Sequence, residues 1–441
     1  MSYSPNLSYF LDRLSGFSTN IFRLETNGAD TATANKIVRF SLPSNALLNM
    51  RSFALHFNAT TNDNNGARLP AKIDTLIERV EVTAGGIQLS QGLNMYNVLR
   101  HAKDALTGSK TNSVCGHPEI VRTKSYVDGS TITGISGESY PSTNKQAQFI
   151  IDHWEGFIGT CEPKILDAAI LPDLVISIYL ADNNVLSSSL DENIDASFNL
   201  DGAGAATYTL NNIHATIESI GLADAVYDNM VSSMIAQKGY VEVPFKQYIS
   251  FNNTHTGSTR FSVATQSLDR IWVAFRDTGY ATQGAPKIVA GYRNTAASTG
   301  EYKGMLDTDR EKFLGKYYNF EEPTASTKMT YQLQLNGAYY PQFAATAEEM
   351  YAISKNSILG SYNEHNMSLE QYKGHYFVMC ARLNMPESEF SRTLSGLDTR
   401  AVSLNGYLNT FNQTGDTNVV IFAELGSTLR IGQGRMIEVV T

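Results

Sequence analysis

The one local cluster with the residue types of a chemical site is His153-Trp154-Glu155. There Glu155 could protonate a glycosidic oxygen while Trp154 offers a flat platform to a sugar ring. Such hydrolysis needs a second carboxylate about 5 to 10 Å from the first, and the sequence does not say which acidic residue would stand there. The plainer reading of Glu155 is a carboxylate at the edge of a strand. The eight histidines, His56, His101, His117, His153, His214, His255, His365 and His375, include no pair at HxH or HxxxH spacing. Those intervals let one strand or helix face turn two ligands toward one ion. The histidines therefore read as isolated, hydrogen-bonded side chains, and no metal site is expected.

Nucleophile and phosphate motifs are equally thin. Gly134-Ile135-Ser136-Gly137 stops one residue short of GxSxG and lacks the flanking strand and helix that expose a nucleophile. Gly85-Gly86 fits neither GxGxxG nor GxxxxGK[ST] and reads as a tight turn leaving a strand. Cys115, Cys161 and Cys380 are odd in number, far apart and without a CxxC pair, so buried or free thiols are expected. No catalytic residue, metal or cofactor follows, and the chain is not read as an enzyme.

The elements that would position any site come from 441 residues, more than one ordinary core holds, with 42% hydrophobic residues, 20 phenylalanines and 23 tyrosines. Two domains are the expectation. A net charge of −9 without a run of Lys and Arg argues against binding nucleic acid by counterion release. No apolar run approaches the roughly 20 residues that span a bilayer. The N-terminus lacks a basic stretch followed by an apolar segment, so a cleaved signal peptide is not expected and a soluble protein of a cytosol-like compartment is.

Strands dominate the periodicity. Phe53, Leu55 and Phe57 alternate with Ala54 and His56, and Val80 and Val82 alternate with Arg79, Glu81 and Thr83, the period of a strand with one buried face. The near-continuous apolar runs Leu174–Leu180 and 419–425 predict strands buried on both faces. Helical spacing links Met95, Val98, Leu99, Ala102 and Leu106, and also Leu222, Val226, Met230 and Met234. A further helix is predicted to start at Thr346, where Thr346 and Glu349 have capping-box spacing.

An internal repeat spans about half the chain, as expected of a duplicated β-sandwich. Residues 52–57 align with 270–275, and 78–86 with 331–338. In each half a turn and a helix with a tyrosine follow, Tyr96 or Tyr351. Leu174–Leu180 then aligns with 419–425. Two similar all-β domains, split near residues 215 to 240, are the expectation. Gly, Ser, Thr and Tyr-rich stretches at about 107–145 and 277–328 are long enough to be functional surface excursions. Ahead of the first strand, Leu7, Phe10, Leu11, Leu14 and Phe17 follow helical spacing after Pro5. Such an apolar arm could pack on a neighbouring subunit, on a membrane surface or back on its own domain.

Ile73-Asp74-Thr75-Leu76-Ile77-Glu78-Arg79-Val80-Glu81-Val82 with Gly85-Gly86 forms one motif. Tyr240-Val241-Glu242-Val243-Pro244-Phe245 followed by Ser267-Leu268-Asp269-Arg270-Ile271-Trp272-Val273-Ala274-Phe275-Arg276 forms another, and residues 331–341, 346–353 and 419–431 complete the series. From about Ile37 to Ile431 this series resembles the double jelly-roll major capsid proteins of icosahedral DNA viruses, the lineage of polinton-like viruses, virophages and large eukaryotic DNA viruses.

The resemblance implies an all-β chain of two tandem eight-stranded jelly-roll β-sandwiches with short helices and long loops. Its expected parts are an N-terminal helical arm at 1–19, a first jelly roll at 20–220 and a second at 221–441, with a linker helix at about 222–236. It further implies a homotrimeric, pseudo-hexagonal capsomer that tiles the virion shell after synthesis and assembly inside the host cell. Partners would be neighbouring capsomers, penton and minor capsid proteins, with an internal membrane as a further candidate contact of Leu7, Phe10, Leu11, Leu14 and Phe17, and no direct nucleic-acid binding. The alternative is a carbohydrate-binding or carbohydrate-cleaving tandem β-sandwich using Trp154 and Trp272, although the alternating strand around Trp272 fits packing between domains. A secreted adhesin or surface-layer subunit is a third reading, weakened by the missing signal peptide.

Overall fold

The computed structural model describes residues 17–44, 46–61, 73–90, 93–107, 147–186, 207–222, 233, 235–276, 278–281, 287–288, 313–314, 317, 320–358, 369–385, 395–400 and 404–441. The first sandwich is built from β1 (Phe17–Glu25), β2 (Ile37–Ser41), β3 (Leu47–Thr61), β4 (Ile77–Ala84), β5 (Ile87–Gln88), β6 (Ala147–Ile151), β7 (Leu174–Leu180) and β8 (Tyr208–Leu222). These pair antiparallel in two sheets, β1-β8-β3-β6 and β2-β7-β4-β5, with the short strands Ala32–Thr33 and Ile165–Asp167 added on β8 and β3.

The second sandwich repeats the plan with β9 (Tyr240–His255), β10 (Ser258–Val263), β11 (Leu268–Arg276), β12 (Ala325–Leu335), β13 (Ala338–Thr346), β14 (Val378–Arg382), β15 (Leu404–Gln413) and β16 (Thr417–Gly432). Its sheets run β9-β16-β11-β14 and β10-β15-β12-β13, with Ile437–Val440 added on β16. Each strand number is shifted by eight from its counterpart. Both orders are those of an eight-stranded jelly roll, so the expected fold class is met.

Local chemistry explains the shared features. The β4–β5 hairpin turns on Gly85 and Gly86, with φ of 54° and 84°, and the β12–β13 hairpin on Asn336 and Gly337, with φ of 48° and 86°. Positive φ at both central residues matches the twist of the flanking strands, which is why Gly-Gly and Asn-Gly stand there. Between the fifth and sixth strands of each sandwich lie helices: α1 (Tyr96–Thr107) in the first, and α3 (Ala347–Ser357) and α4 (Leu369–His375) in the second. A single turn, α2 (Phe157–Thr160), follows β6. Val98, Leu99, Ala102 and Leu106 form the buried stripe of α1. At the start of α3 both capping-box bonds are made: Thr346 Oγ1 accepts from the Glu349 amide and Glu349 Oε2 from the Thr346 amide.

Several expectations are corrected. Phe17 to Thr19, assigned to the helical arm, open β1, and Leu222, assigned to a linker helix, closes β8 opposite Phe17: the chain pairs these residues rather than coiling them. Among the described residues, those at 233 and 235–238, just before β9, are helical. Leu7, Phe10, Leu11, Leu14, Val226, Met230, Met234, Cys115, Ser136 and nearly all of the two excursions lie outside the described residues.

Two of the three repeat matches hold, β3 with β11 and β4 with β12. The third does not. Leu174–Leu180 is β7, whose counterpart is β15, whereas residues 419–425 belong to β16, the counterpart of β8. Both segments are continuous apolar runs, which carry no phase by which to align them. They also differ in setting: Val175 and Tyr179 of β7 are half-buried, while every residue from Thr417 to Ser427 is buried.

Candidate functional site: the joint between the sandwiches

All nine residues of β11 are buried, which a strand in a single sandwich does not require. One face lines the core of its own sandwich; over the other, Lys103 of α1 lies above Trp272, while α2 and the segments flanking α1 and α2 pack on β9 of the same sheet. Phe157 meets Phe245 edge-on at 5.1 Å, the Lys246 amide donates to Thr160 Oγ1 at 2.9 Å, and the Asn94 amide to Ser250 Oγ at 3.1 Å.

At the centre of this joint lies an ionic network. Arg100 of α1 donates from Nε to Asp74 Oδ2 at 3.1 Å and from Nη1 to Glu155 Oε1 at 2.9 Å. Lys103, one turn on, donates to Glu155 Oε2 at 2.7 Å and to the Tyr248 hydroxyl at 3.0 Å, and that hydroxyl donates to Glu155 Oε2 at 3.0 Å. Thus Glu155 of the first sandwich and Tyr248 of the second share a proton donor and each other. On the second sandwich, Arg270 Nη1 and Trp272 Nε1 reach the two oxygens of Glu424 at 2.9 and 3.0 Å, and Lys246 pairs with Asp269. The Lys103 ammonium lies 5.2 Å from the Tyr248 ring centre and 5.8 Å from that of Trp272, closing the two clusters over one cation.

Burial raises the Glu155 carboxyl, but Lys103 and Arg100 outweigh it and hold it at about 2. The same competition, burial against Arg270, Lys103 and Lys246, leaves Glu424 below its usual range. Asp269 goes the other way, its burial outweighing the Lys246 ammonium. Desolvation and the Glu155 charge push the Tyr248 hydroxyl well up, so it stays a neutral donor. The arrangement ties the two sandwiches together through buried charges, and removing one partner would leave the other uncompensated.

Against this frame, His153 is exposed and Trp154 is 3% exposed, its Nε1 donating to the Phe53 carbonyl at 2.8 Å. A buried indole gives a sugar no platform. Glu155 is not at a strand edge but inside the joint, and Trp272, 1% exposed, packs between the sandwiches as expected. His255 bonds to Thr259 and Thr410 and is held neutral by burial at about 4. His56 and His214 are not isolated: directly opposite on β3 and β8, they stack with ring centres 4.9 Å apart. Cys161 and Cys380 are buried free thiols, and burial pushes Cys161 up to about 12. Among the described residues no three His, Cys, Asp or Glu side chains gather for a metal ion. A recess of about 150 Å³ beside α3 is lined by Glu322, Lys328, Glu348 and Lys373, which pair with one another; it is smaller than the roughly 300 Å³ at which small-molecule sites begin.

Asp74, Arg100, Lys103, Tyr248 and Glu424 escaped the sequence reading. One signal was available: Glu424 is a lone carboxylate in the run Val419-Val420-Ile421-Phe422-Ala423-Glu424-Leu425, and a charge buried in such a run requires a partner.

No protein-family model matches the sequence, and no curated protein is similar to it. Solved structures are similar over nearly the whole chain. Against VP54 of PBCV-1, fitted into a cryo-EM reconstruction of the virophage Sputnik, the TM-score is 0.60 at 14% identity, covering 98% of each chain. The Faustovirus major capsid protein gives 0.59 at 9% identity over 98% of this chain and 93% of that one. For the mavirus major capsid protein the values are 0.50 and 8%, over 99% and 93%. The strand order repeated in both sandwiches and this end-to-end likeness give the chain the double jelly-roll fold of those viral major capsid proteins.

Proposed function

We propose that this chain is the major capsid protein of an icosahedral DNA virus, assembling as a pseudo-hexagonal homotrimer that tiles the virion shell. The observation that carries the reading is the pair of jelly rolls of one strand order locked by a buried ionic joint, in a fold matched end to end by viral capsid proteins. A tile needs two sandwiches held as one body; an enzyme would need an open cleft with convergent polar groups. The chain acts without catalysis, is made and assembled inside the host cell, and takes its place in the shell beside neighbouring capsomers and penton and minor capsid proteins. Leu7, Phe10, Leu11 and Leu14, ahead of β1, belong to an inner-face arm that meets minor proteins or an internal membrane. Burial of Trp154 and Trp272 leaves the carbohydrate reading without its platforms. Negative-stain imaging of the purified chain tests the proposal: particles of hexagonal outline are expected, and featureless single-chain particles would contradict it.

A further inference from the structure

We propose that His56 of β3 and His214 of β8 are the two protein ligands of a divalent transition-metal ion, Zn2+ in the first place, with water in its remaining positions. The site lies within a single chain and is independent of the capsid reading.

Leu55 and Ala215, one residue along from these histidines, are in the core, so the imidazoles stand on the opposite face of the β1-β8-β3-β6 sheet. There His214 lies directly opposite His56, and Glu25 of β1 lies opposite His214, a row of three across adjacent strands. The two rings stack with centres 4.9 Å apart and planes 5° from parallel. A turn about χ2, a broad torsion in histidine, brings a nitrogen of each to the roughly 2.0 to 2.1 Å of a zinc bond. No HxH or HxxxH spacing marks the pair, because those intervals describe ligands from one strand or helix, and here the ladder between two strands joins them.

The hydrogen bonds leave lone pairs for an ion. Nδ1 of His214 lies 3.0 Å from the Asn212 carbonyl oxygen. A carbonyl only accepts, so Nδ1 carries the proton and Nε2 the lone pair, and among the described residues no hydrogen bond engages Nε2. A second nitrogen donating to a backbone carbonyl is how metal-binding histidines are ordinarily oriented. Asn212 is set for this by the bulge between Asn211 and His214, where its φ is 52°. Nε2 of His56 lies 2.9 Å from Thr216 Oγ1, a hydroxyl able to accept its proton, which leaves Nδ1 of His56 to the ion. The charges around the pair are Arg23, held by Glu25 at 2.8 Å, and Asp152 just beyond β6, a net of one negative that favours a cation. Imidazole ligands suit zinc, copper and nickel ions rather than magnesium or calcium. An ion held here clips β3 to β8 where the bulge interrupts their ladder.

The test is calorimetric titration of zinc chloride into the tag-free, metal-stripped full chain at about pH 7.5, where imidazole is neutral, with His56→Gln, His214→Gln and His153→Asn alongside and a thermal melt of each. His153 is exposed and outside the row. The expected result is zinc binding that raises the wild-type melting temperature, is weakened at least about tenfold in His56→Gln and His214→Gln, and is unchanged in His153→Asn. Should His214→Gln fail to fold for want of the bond to Asn212, His56→Gln decides alone. Absence of zinc binding to the wild-type chain up to about 1 mM overturns the site, and so does a folded His56→Gln that binds zinc as tightly as wild type.

Discussion

The hydroxyl of Tyr248, in the second sandwich, donates at 3.0 Å to Oε2 of Glu155, in the first, and both groups take a hydrogen bond from Lys103. That triangle spans the joint and is buried. Glu155→Gln would remove the charge that Lys103 and Arg100 face without removing theirs. Breaking one side of a buried ionic network costs about 3 to 5 kcal/mol, so the denaturation midpoint should fall sharply. Loss of less than about 1 kcal/mol would mean that the joint is held by apolar packing alone.

Acid should weaken the fold in two stages. His255 is held near 4 against a usual 6.5, so its neutral, buried form contributes stability above pH 6.5 that is lost as the pH falls through about 4. Glu155, held near 2 against a usual 4.5, contributes above pH 4.5 and loses that contribution as the pH falls through about 2. Denaturant midpoints measured from about pH 7 down to about pH 3 should fall throughout. His255→Asn should flatten the upper part of the curve and leave the lower part.

Thr346→Ala removes the side-chain acceptor for the Glu349 amide at the start of α3. A cap of this kind is worth about 1 kcal/mol, and the chemical-denaturation free energy should drop by that amount with no change of fold.

The two hairpin turns should respond unequally to alanine. At Gly85 φ is +54° and an added Cβ would stand 2.7 Å from Pro172 Cβ; at Gly337 φ is +86° with nothing within 4 Å. Gly337→Ala carries only the backbone penalty of about 1 kcal/mol, and Gly85→Ala adds a clash to it. Equal losses in a denaturation series would contradict the close packing of Pro172 on this turn.

Much of this fold is legible in the order of its residues. Alternation marks β3 and β4 because one face of each is in the core, and the Thr346-Glu349 spacing marks α3 because its bonds are local. What was lost depended on neighbours distant in sequence. Residues 419–425 read as an unphased apolar run because both faces of the strand are buried from Thr417 to Ser427, and what covers each face is not carried by its own residues. Glu155 read as a strand-edge carboxylate because its partners Arg100, Lys103 and Tyr248 are 52 to 93 residues away. The alternative role of Trp154 as a platform stayed open for the same reason: its donor bond runs to Phe53, 101 residues back.

The most direct test of the central claim is the mass of the purified, full-length chain by size-exclusion chromatography with light scattering across a range of concentrations. A capsid tile of two-sandwich subunits predicts a stable species of three times the chain mass. A chain that stays monomeric under all conditions tested would leave the double jelly roll intact and contradict the tile.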